Sequence, residues 1–173
     1  DMKYPEELAA AGLTLTPPEI YSYGKLVLWS TRPAIEPDLQ RLGRAEIRYI
    51  AMANPGTAPY GRAAKEVLTR NGLDLALEDK LVFGESIGQV NQFIRSGSAD
   101  IGFTALSVVS APQFGDSGQW VVLDTASYTP LAQGVAVIRR KDKKTGDAEL
   151  FRDFLFSDPA KVILRKYGYK VDE

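Results

Sequence analysis

The chain has 173 residues, a length that predicts one domain or two small lobes that share one chain. Its 21 basic and 22 acidic residues give a formal net charge of −1, which argues against binding of nucleic acid through bulk charge. Cysteine and histidine are both absent, which excludes disulfides, thiol nucleophiles, histidine bases and zinc sites built on nitrogen or sulfur ligands. The composition therefore favours a binding protein over an enzyme.

The first half of the chain alternates short helices with short strands. Proline and acidic residues at helix starts, glycine or asparagine at helix ends, and runs of β-branched and aromatic residues carry these predictions. The predicted elements are a helix over 5–11, strands over 20–23 and 25–31, a helix over 38–42, a strand over 46–52, and a helix from Pro59 to 71–72.

The second half continues the alternation, which predicts an α/β fold with a parallel or mixed sheet and helices on both faces. Ser86 and Ser157 occupy N-cap positions ahead of apolar residues at helical spacing. The predicted elements are a buried strand over 81–83, a helix over 87–96, a strand over 100–104, a helix over 105–111, strands over 119–123 and 134–139, and two final helices. Five aromatic residues inside these patterns are expected in the core: Trp29, Tyr49, Phe83, Phe93 and Trp120.

Charged residues offer two weaker hypotheses. Acidic residues at predicted strand ends would supply a cation site or an acid/base pair, although their spacing matches no metal-binding loop. These residues are Asp38, Glu46, Glu85, Asp100 and Asp124. The basic run over 139–144 is interpreted as a solvated turn, because acidic residues surround it and no aromatic residues interleave with it.

Two loop-to-helix junctions follow predicted strands, namely APYG over 58–61 and GESIG over 84–88. A helix N-terminus presents unpaired N–H groups and a partial positive charge, so two of them at one crevice would bind an anion without a cationic side chain. Gly61 and Gly88 are expected to let such a ligand approach the backbone. An ordinary pair of capped helix starts remains the alternative.

Three longer segments carry a resemblance to a known family. NPGTAPYGRAAKEVLTRNGL, GESIGQVNQFIRSGSADIGFTALSVV and FRDFLFSDPAKVILRKYGY, in this order, resemble the periplasmic molybdate-binding proteins of ABC uptake systems. The resemblance covers essentially the whole chain. It implies an α/β fold like that of type II periplasmic binding proteins, in which two lobes with mixed sheets flanked by helices hold an oxyanion between them.

The resemblance also implies the site. The backbone N–H groups of Tyr60 and Ile87 match positions that donate to the oxyanion, whereas Ala105 stands where some family members have a tyrosine hydroxyl. The ligand would be molybdate or tungstate. The resemblance implies no catalytic residue, no cofactor and no free metal cation. The implied partner is the membrane permease of an ABC transporter, and the implied compartment is the periplasm.

The family's first lobe normally begins with two serine-containing loops that have no counterpart before Asp1. We therefore expect residues 1–24 and 130–173 to form an incomplete first lobe and residues 25–129 to form the second lobe. The signal peptide and the N-terminal segment are not in this chain, so we expect it to bind molybdate weakly or not at all. We also expect either self-association through the incomplete lobe or disorder of that lobe. Three alternatives stay open: an effector-sensing module of a transcription regulator, an anion-binding domain of another solute receptor, and a carboxylate enzyme.

Overall fold

The computed structural model describes residues 1–114, 117–140 and 145–171. The chain forms two compact units, one made of Asp1–Gly24 with Leu131–Glu173 and the other of Lys25–Pro130. Assignment of these units to a first and a second lobe of a binding protein stays a prediction. Within the described ranges, no helix is both long enough and apolar enough to cross a membrane.

Seven strands and six α-helices are present in the described ranges. The strands are β1 (Glu19–Gly24), β2 (Leu26–Ser30), β3 (Ile50–Ala53), β4 (Leu81–Gly84), β5 (Ile101–Ala105), β6 (Gln119–Val122) and β7 (Leu131–Val135). The α-helices are α1 (Lys3–Ala10), α2 (Pro59–Arg70), α3 (Ile87–Ser96), α4 (Leu106–Val109), α5 (Gly146–Leu155) and α6 (Asp158–Lys166).

The unit of residues 25–130 contains a five-stranded sheet in the order β4-β3-β5-β2-β6. β3 is parallel to β4 and β5, and β2 is antiparallel to both of its neighbours. Side chains alternate between the two faces of a strand, so each face needs its own cover. Val90 and Ile94 of α3 cover the face that carries Ala51, while α2 buries Val67 and Leu68. The predicted mixed sheet flanked by helices is confirmed.

The two edges of this sheet explain why some aromatic predictions were wrong. Trp29 in the central strand β2 is fully buried, and Phe93 is partly buried against the same core. Phe83 and Trp120, however, are 52% and 43% exposed, because β4 and β6 are edge strands. The predicted burial of the strand over 81–83 fails for the same reason. Tyr49 lies just before β3 and is also exposed.

The predicted strand over 46–52 begins four residues too early. The buried Asp100 carboxylate accepts hydrogen bonds from the backbone N–H groups of Arg48 (2.7 Å) and Tyr49 (2.8 Å). Those two N–H groups are therefore bound to a side chain rather than to a neighbouring strand. β3 accordingly starts at Ile50. The helix predicted over 105–111 is likewise reduced to the four residues of α4.

The other unit contains a two-stranded antiparallel sheet of β1 and β7 together with α1, α5 and α6. The strand predicted over 134–139 is displaced, since β7 ends at Val135 and Ile138 forms only an isolated bridge with Thr14. Ser157 caps α6 as predicted, with its side chain accepting from the Ala160 N–H. In the predicted basic turn, Arg139 donates to the Thr14 carbonyl, while residues 141–144 lie outside the described residues.

Candidate functional site

The candidate site lies where three parallel strands end. β4, β3 and β5 are neighbours that run in the same direction, and they lead into α3, α2 and α4 respectively. The chain after β3 passes to β4 on one side, whereas the chain after β5 passes to β6 at the opposite edge of the sheet. Ligands of open α/β sheets bind at such a reversal, outside the carboxyl ends of the strands.

The start of α3 is built by a serine cap. Ser86 is extended (φ −149°, ψ 163°), and its side chain accepts from the N–H of Gln89 at 3.3 Å. The N–H of Val90 donates to the Ser86 carbonyl at 3.1 Å. Among the described residues, none accepts a hydrogen bond from the N–H of Ile87 or of Gly88. The predicted site residue Ile87 is thus the first residue of the helix, where an amide is available to a ligand.

The start of α2 lacks a side-chain cap. Ala58 is the N-cap residue and makes no capping hydrogen bond, and Pro59 at the first helical position has no N–H to offer. The first intrahelical bond runs from the N–H of Arg62 to the Ala58 carbonyl at 3.1 Å. The predicted site residue Tyr60 is therefore in the first turn of α2, and its side chain is partly buried.

A single residue, Asn54, joins the two helix starts. Its N–H donates to the Gly84 carbonyl at 2.8 Å, which links the end of β3 to the end of β4. Its side chain accepts from the Gly56 N–H, and its carbonyl accepts from the Ala58 N–H, both at 2.9 Å. Asn54 was not predicted as a site residue, although asparagine before Pro-Gly is a common signal for such a turn.

The two glycines of the predicted junctions have different roles. A Cβ at Gly61 would overlap the carbonyl oxygen of Ala53, so this glycine lets α2 pack against the end of β3 rather than admitting a ligand. A Cβ at Gly88 would meet only the Ser86 hydroxyl, at 3.6 Å. Close approach of a ligand to the backbone is therefore geometrically open at Gly88 and not at Gly61.

The carboxyl end of β5 is the third strand end at the candidate site. Ala105 is buried and provides the N-cap position of α4, so its side chain offers no hydroxyl there. The segments over 54–61 and 84–88 contain no lysine or arginine, and Glu85 is their only charged residue. Positive potential in these segments comes from backbone amides and helix dipoles alone.

Three other carboxylates of this unit have structural roles. Asp38 and Asp124 cap short 3₁₀ helices by accepting from the N–H groups of Gln40 and Ala126. Asp100 is buried and forms an ion pair with Arg32. It precedes β5 and so lies at the amino ends of the parallel strands, whereas Glu85 follows β4 and lies at their carboxyl ends. Within the described ranges, no group of three or more histidine, cysteine, aspartate or glutamate side chains is arranged to hold a metal ion.

Comparison with known proteins identifies the family. A family model described as bacterial extracellular solute-binding protein matches residues 1–170. The chain belongs to this family.

Individual family members are similar at moderate identity. The molybdate-binding proteins ModA of Rhodobacter capsulatus and Azotobacter vinelandii are each 40% identical, over 86% and 95% of this chain. The chain spans 58% and 66% of the lengths of these two curated relatives. A solved structure of the Azotobacter vinelandii periplasmic molybdate-binding protein superimposes with a TM-score of 0.89 at 34% identity, covering 100% of this chain and 76% of that one. The resemblance to periplasmic molybdate-binding proteins is confirmed.

Proposed function

We propose that this chain binds a tetrahedral oxyanion, molybdate or tungstate, through the backbone N–H groups of Tyr60 and Ile87. It acts within a periplasmic receptor that delivers the ligand to the membrane permease of an ABC importer. The observation that carries the proposal is the hydrogen bond between Asn54 and Gly84, which holds the starts of α2 and α3 at neighbouring strand ends. The names of the similar proteins support the choice of oxyanion.

Neutral donors suit a reversible oxyanion site. Each N–H group that donates to a charged oxygen contributes more than a neutral hydrogen bond does, and the helix dipoles add a favourable field at the same place. A dianion held in this way needs no countercharge from lysine or arginine. The only charged side chain of the two junctions, the exposed Glu85, opposes anion binding. The chemistry is capture and release rather than catalysis.

Size is expected to determine selectivity. Molybdate and tungstate have the same charge and nearly the same size, so a site formed by backbone N–H groups should bind them with similar affinity. Sulfate has the same charge but shorter bonds to oxygen, so it should not reach all the donors at once. Donors that remain unpaired in a desolvated site reduce affinity.

Calorimetric titration of the purified protein with molybdate, tungstate and sulfate tests the proposal. Saturable binding of the first two, at similar affinity and tighter than sulfate, is the expected result. A preference for sulfate would contradict the assignment of the ligand, and saturable binding of none of the three would contradict the proposal itself.

Self-association through α5 and α6 is a second part of the proposal. Five large apolar side chains of these helices are 44% to 68% exposed: Leu150, Phe151, Phe154, Val162 and Ile163. The rings of Phe151 and Phe154 stack at 6.5 Å between centroids, which makes one aromatic surface. Exposed apolar patches of this kind drive association.

Sedimentation velocity over a range of concentrations tests the association. The double variant Phe151→Ser/Phe154→Ser should shift the protein toward monomer. Val121→Ser is the matched control, because Val121 is 40% exposed but belongs to the other unit. A wild-type protein that stays monomeric at all concentrations would contradict self-association, as would equal effects of the test and control variants.

A further inference from the structure

The edge strand β4 exposes backbone groups that could pair with another strand. The N–H of Asn54 donates to the Gly84 carbonyl, so Gly84 directs its own N–H and C=O toward β3. Alternate residues of a strand face the same neighbour, which places Val82 on the β3 side and directs the backbone groups of Leu81 and Phe83 outward. The N–H of Leu81 already donates to the Glu78 carbonyl. Among the described residues, none forms a hydrogen bond with the C=O of Leu81 or with the N–H and C=O of Phe83.

A groove runs beside this edge. It is a cavity of about 580 Å³ between α2 and β4, and the buried side chains of Met52 and Leu68 line it. Phe83 and Leu75 also line it, and their side chains are 52% and 83% exposed. Phe83 pairs with Met52 in register, so its ring lies on the same face of the sheet as the groove. A strand added to β4 would therefore direct every second side chain toward the groove.

The charges around the edge are mainly negative. Glu78 and Asp79 precede β4, Glu85 follows it, and Asp74 lies on the groove wall. Among the described residues, none forms an ion pair with Glu78, Asp79 or Glu85.

Two lysines lie close to the same edge, and only one of them faces the groove. The ammonium of Lys80 donates to three backbone carbonyls, those of Leu42, Gly43 and Arg44, at 3.3, 3.0 and 2.7 Å. Its ammonium is therefore bound to these carbonyls, and Lys80 does not line the groove. Lys65 is the cation that lines the groove. Carboxylates thus flank both ends of an apolar edge, which is electrostatically complementary to a segment with basic ends.

We propose that β4 is a docking edge for an extended segment of a protein partner, one with apolar residues at its centre and lysine or arginine at both ends. The segment pairs as a sixth strand with the N–H and C=O of Phe83 and with the C=O of Leu81. One of its apolar side chains enters the groove beside Phe83, and its basic ends meet the flanking carboxylates. Main-chain pairing supplies affinity in this mode of recognition, and the side-chain pocket supplies specificity. The groove adjoins the candidate oxyanion site through Asn54, which lines it, but the proposed donors Tyr60 and Ile87 do not line it.

A labelled peptide with alternating valine and threonine at its centre and two lysines at each end is a suitable probe. Fluorescence anisotropy should show saturable binding, and hydrogen exchange followed by NMR should show slower exchange of the Phe83 amide. Phe83→Lys should weaken binding at least tenfold, because it removes the ring and repels the basic peptide. Glu78→Gln/Asp79→Asn should weaken binding about threefold. A peptide with glutamates in place of the lysines should bind at least threefold more weakly.

Val121→Lys on β6 is the matched control. Val121 is an exposed residue of the other edge strand, so this variant should bind the peptide within twofold of wild type. Equal binding by wild type and Phe83→Lys would overturn the proposal, as would equal binding of the acidic peptide or no saturable binding. A concentration-dependent dimer that Phe83→Lys dissolves, without peptide binding, would replace the partner segment by a second copy and would also overturn it. None of these outcomes depends on molybdate binding.

Discussion

Replacement of Ile87 by proline removes one proposed donor and leaves the helix in place. Ile87 is the first residue of α3, a position at which proline is favoured because the N–H has no intrahelical partner. The preceding residue, Ser86, already has the extended conformation that a following proline requires. α2 itself begins with Pro59, so a helix whose first residue is proline is compatible with the carboxyl ends of these strands. The cap from Ser86 to the Gln89 N–H does not involve residue 87.

The expected loss follows from one hydrogen bond to a charged acceptor. Such a bond contributes roughly 1.5 to 3 kcal/mol, which corresponds to a molybdate affinity about 10- to 150-fold weaker. The Ile87 side chain packs against the core that contains Val90 and Ile94, so its removal has a separate cost in stability. Ile87→Ala removes most of that side chain but keeps the N–H, and it is the reference for the proline variant.

Titration calorimetry with molybdate measures both variants, and thermal unfolding checks that both are folded. Ile87→Ala should bind within a fewfold of wild type, whereas Ile87→Pro should be weaker than Ile87→Ala by the factor given above. If the two variants bind molybdate equally well while both remain folded, the Ile87 N–H is not a donor and the reasoning is refuted.

Three further predictions concern single side chains. Tyr60→Ala should change molybdate affinity by no more than about twofold in calorimetry, because the proposed donor is the backbone; a loss comparable with that of Ile87→Pro would assign the contact to the side chain. Gly61→Ala should lower the free energy of unfolding by about 1 to 3 kcal/mol in urea denaturation, because its Cβ would overlap the Ala53 carbonyl, and wild-type stability would contradict that packing. Burial raises the pKa of Tyr128; the hydrogen bond from the Leu26 N–H lowers it, and the charge of Asp124 raises it further. Because the pKa is higher in the folded protein, the stability that the neutral phenol confers is present below about pH 10 and should be lost at higher pH. Tyr128→Phe should reduce that pH dependence and should cost about 1 to 3 kcal/mol at neutral pH in the same assay, because the buried Leu26 N–H loses its acceptor; an unchanged pH profile would contradict this.

Local signals made α3 predictable from the sequence. Ser86 provides the cap at one end, and Gly97 takes the left-handed conformation (φ 75°) at the other. Both signals lie within the helix or next to it, so they can be interpreted without knowledge of the rest of the fold. The starts of α2 and α6, marked by Pro59 and Ser157, were predictable for the same reason.

Long-range contacts account for the predictions that failed. β3 begins at Ile50 because Asp100, far along the chain, accepts hydrogen bonds from the two preceding amides. Phe83 and Trp120 have the apolar character of core residues, but their exposure depends on the order of the strands in the sheet. A strand order of this kind cannot be deduced from the composition of a single strand.

The candidate site was predictable only in part. The two helix starts and their amides follow from turn and cap residues, and the proposed ligand follows from the family resemblance. That α2 and α3 begin at neighbouring strand ends depends on the pairing of β3 with β4 and on the bond from Asn54 to Gly84. The need for Gly61 likewise comes from a contact with Ala53, which becomes evident only when the helix is packed on the sheet.

An NMR titration of the ¹⁵N-labelled protein with molybdate tests the central claim most directly, because it reports on individual amides even when binding is weak. The account predicts that the amide signals of Tyr60 and Ile87 move together and saturate at one molybdate per chain, with smaller changes on addition of sulfate. Saturable binding that leaves both signals unmoved would contradict the account.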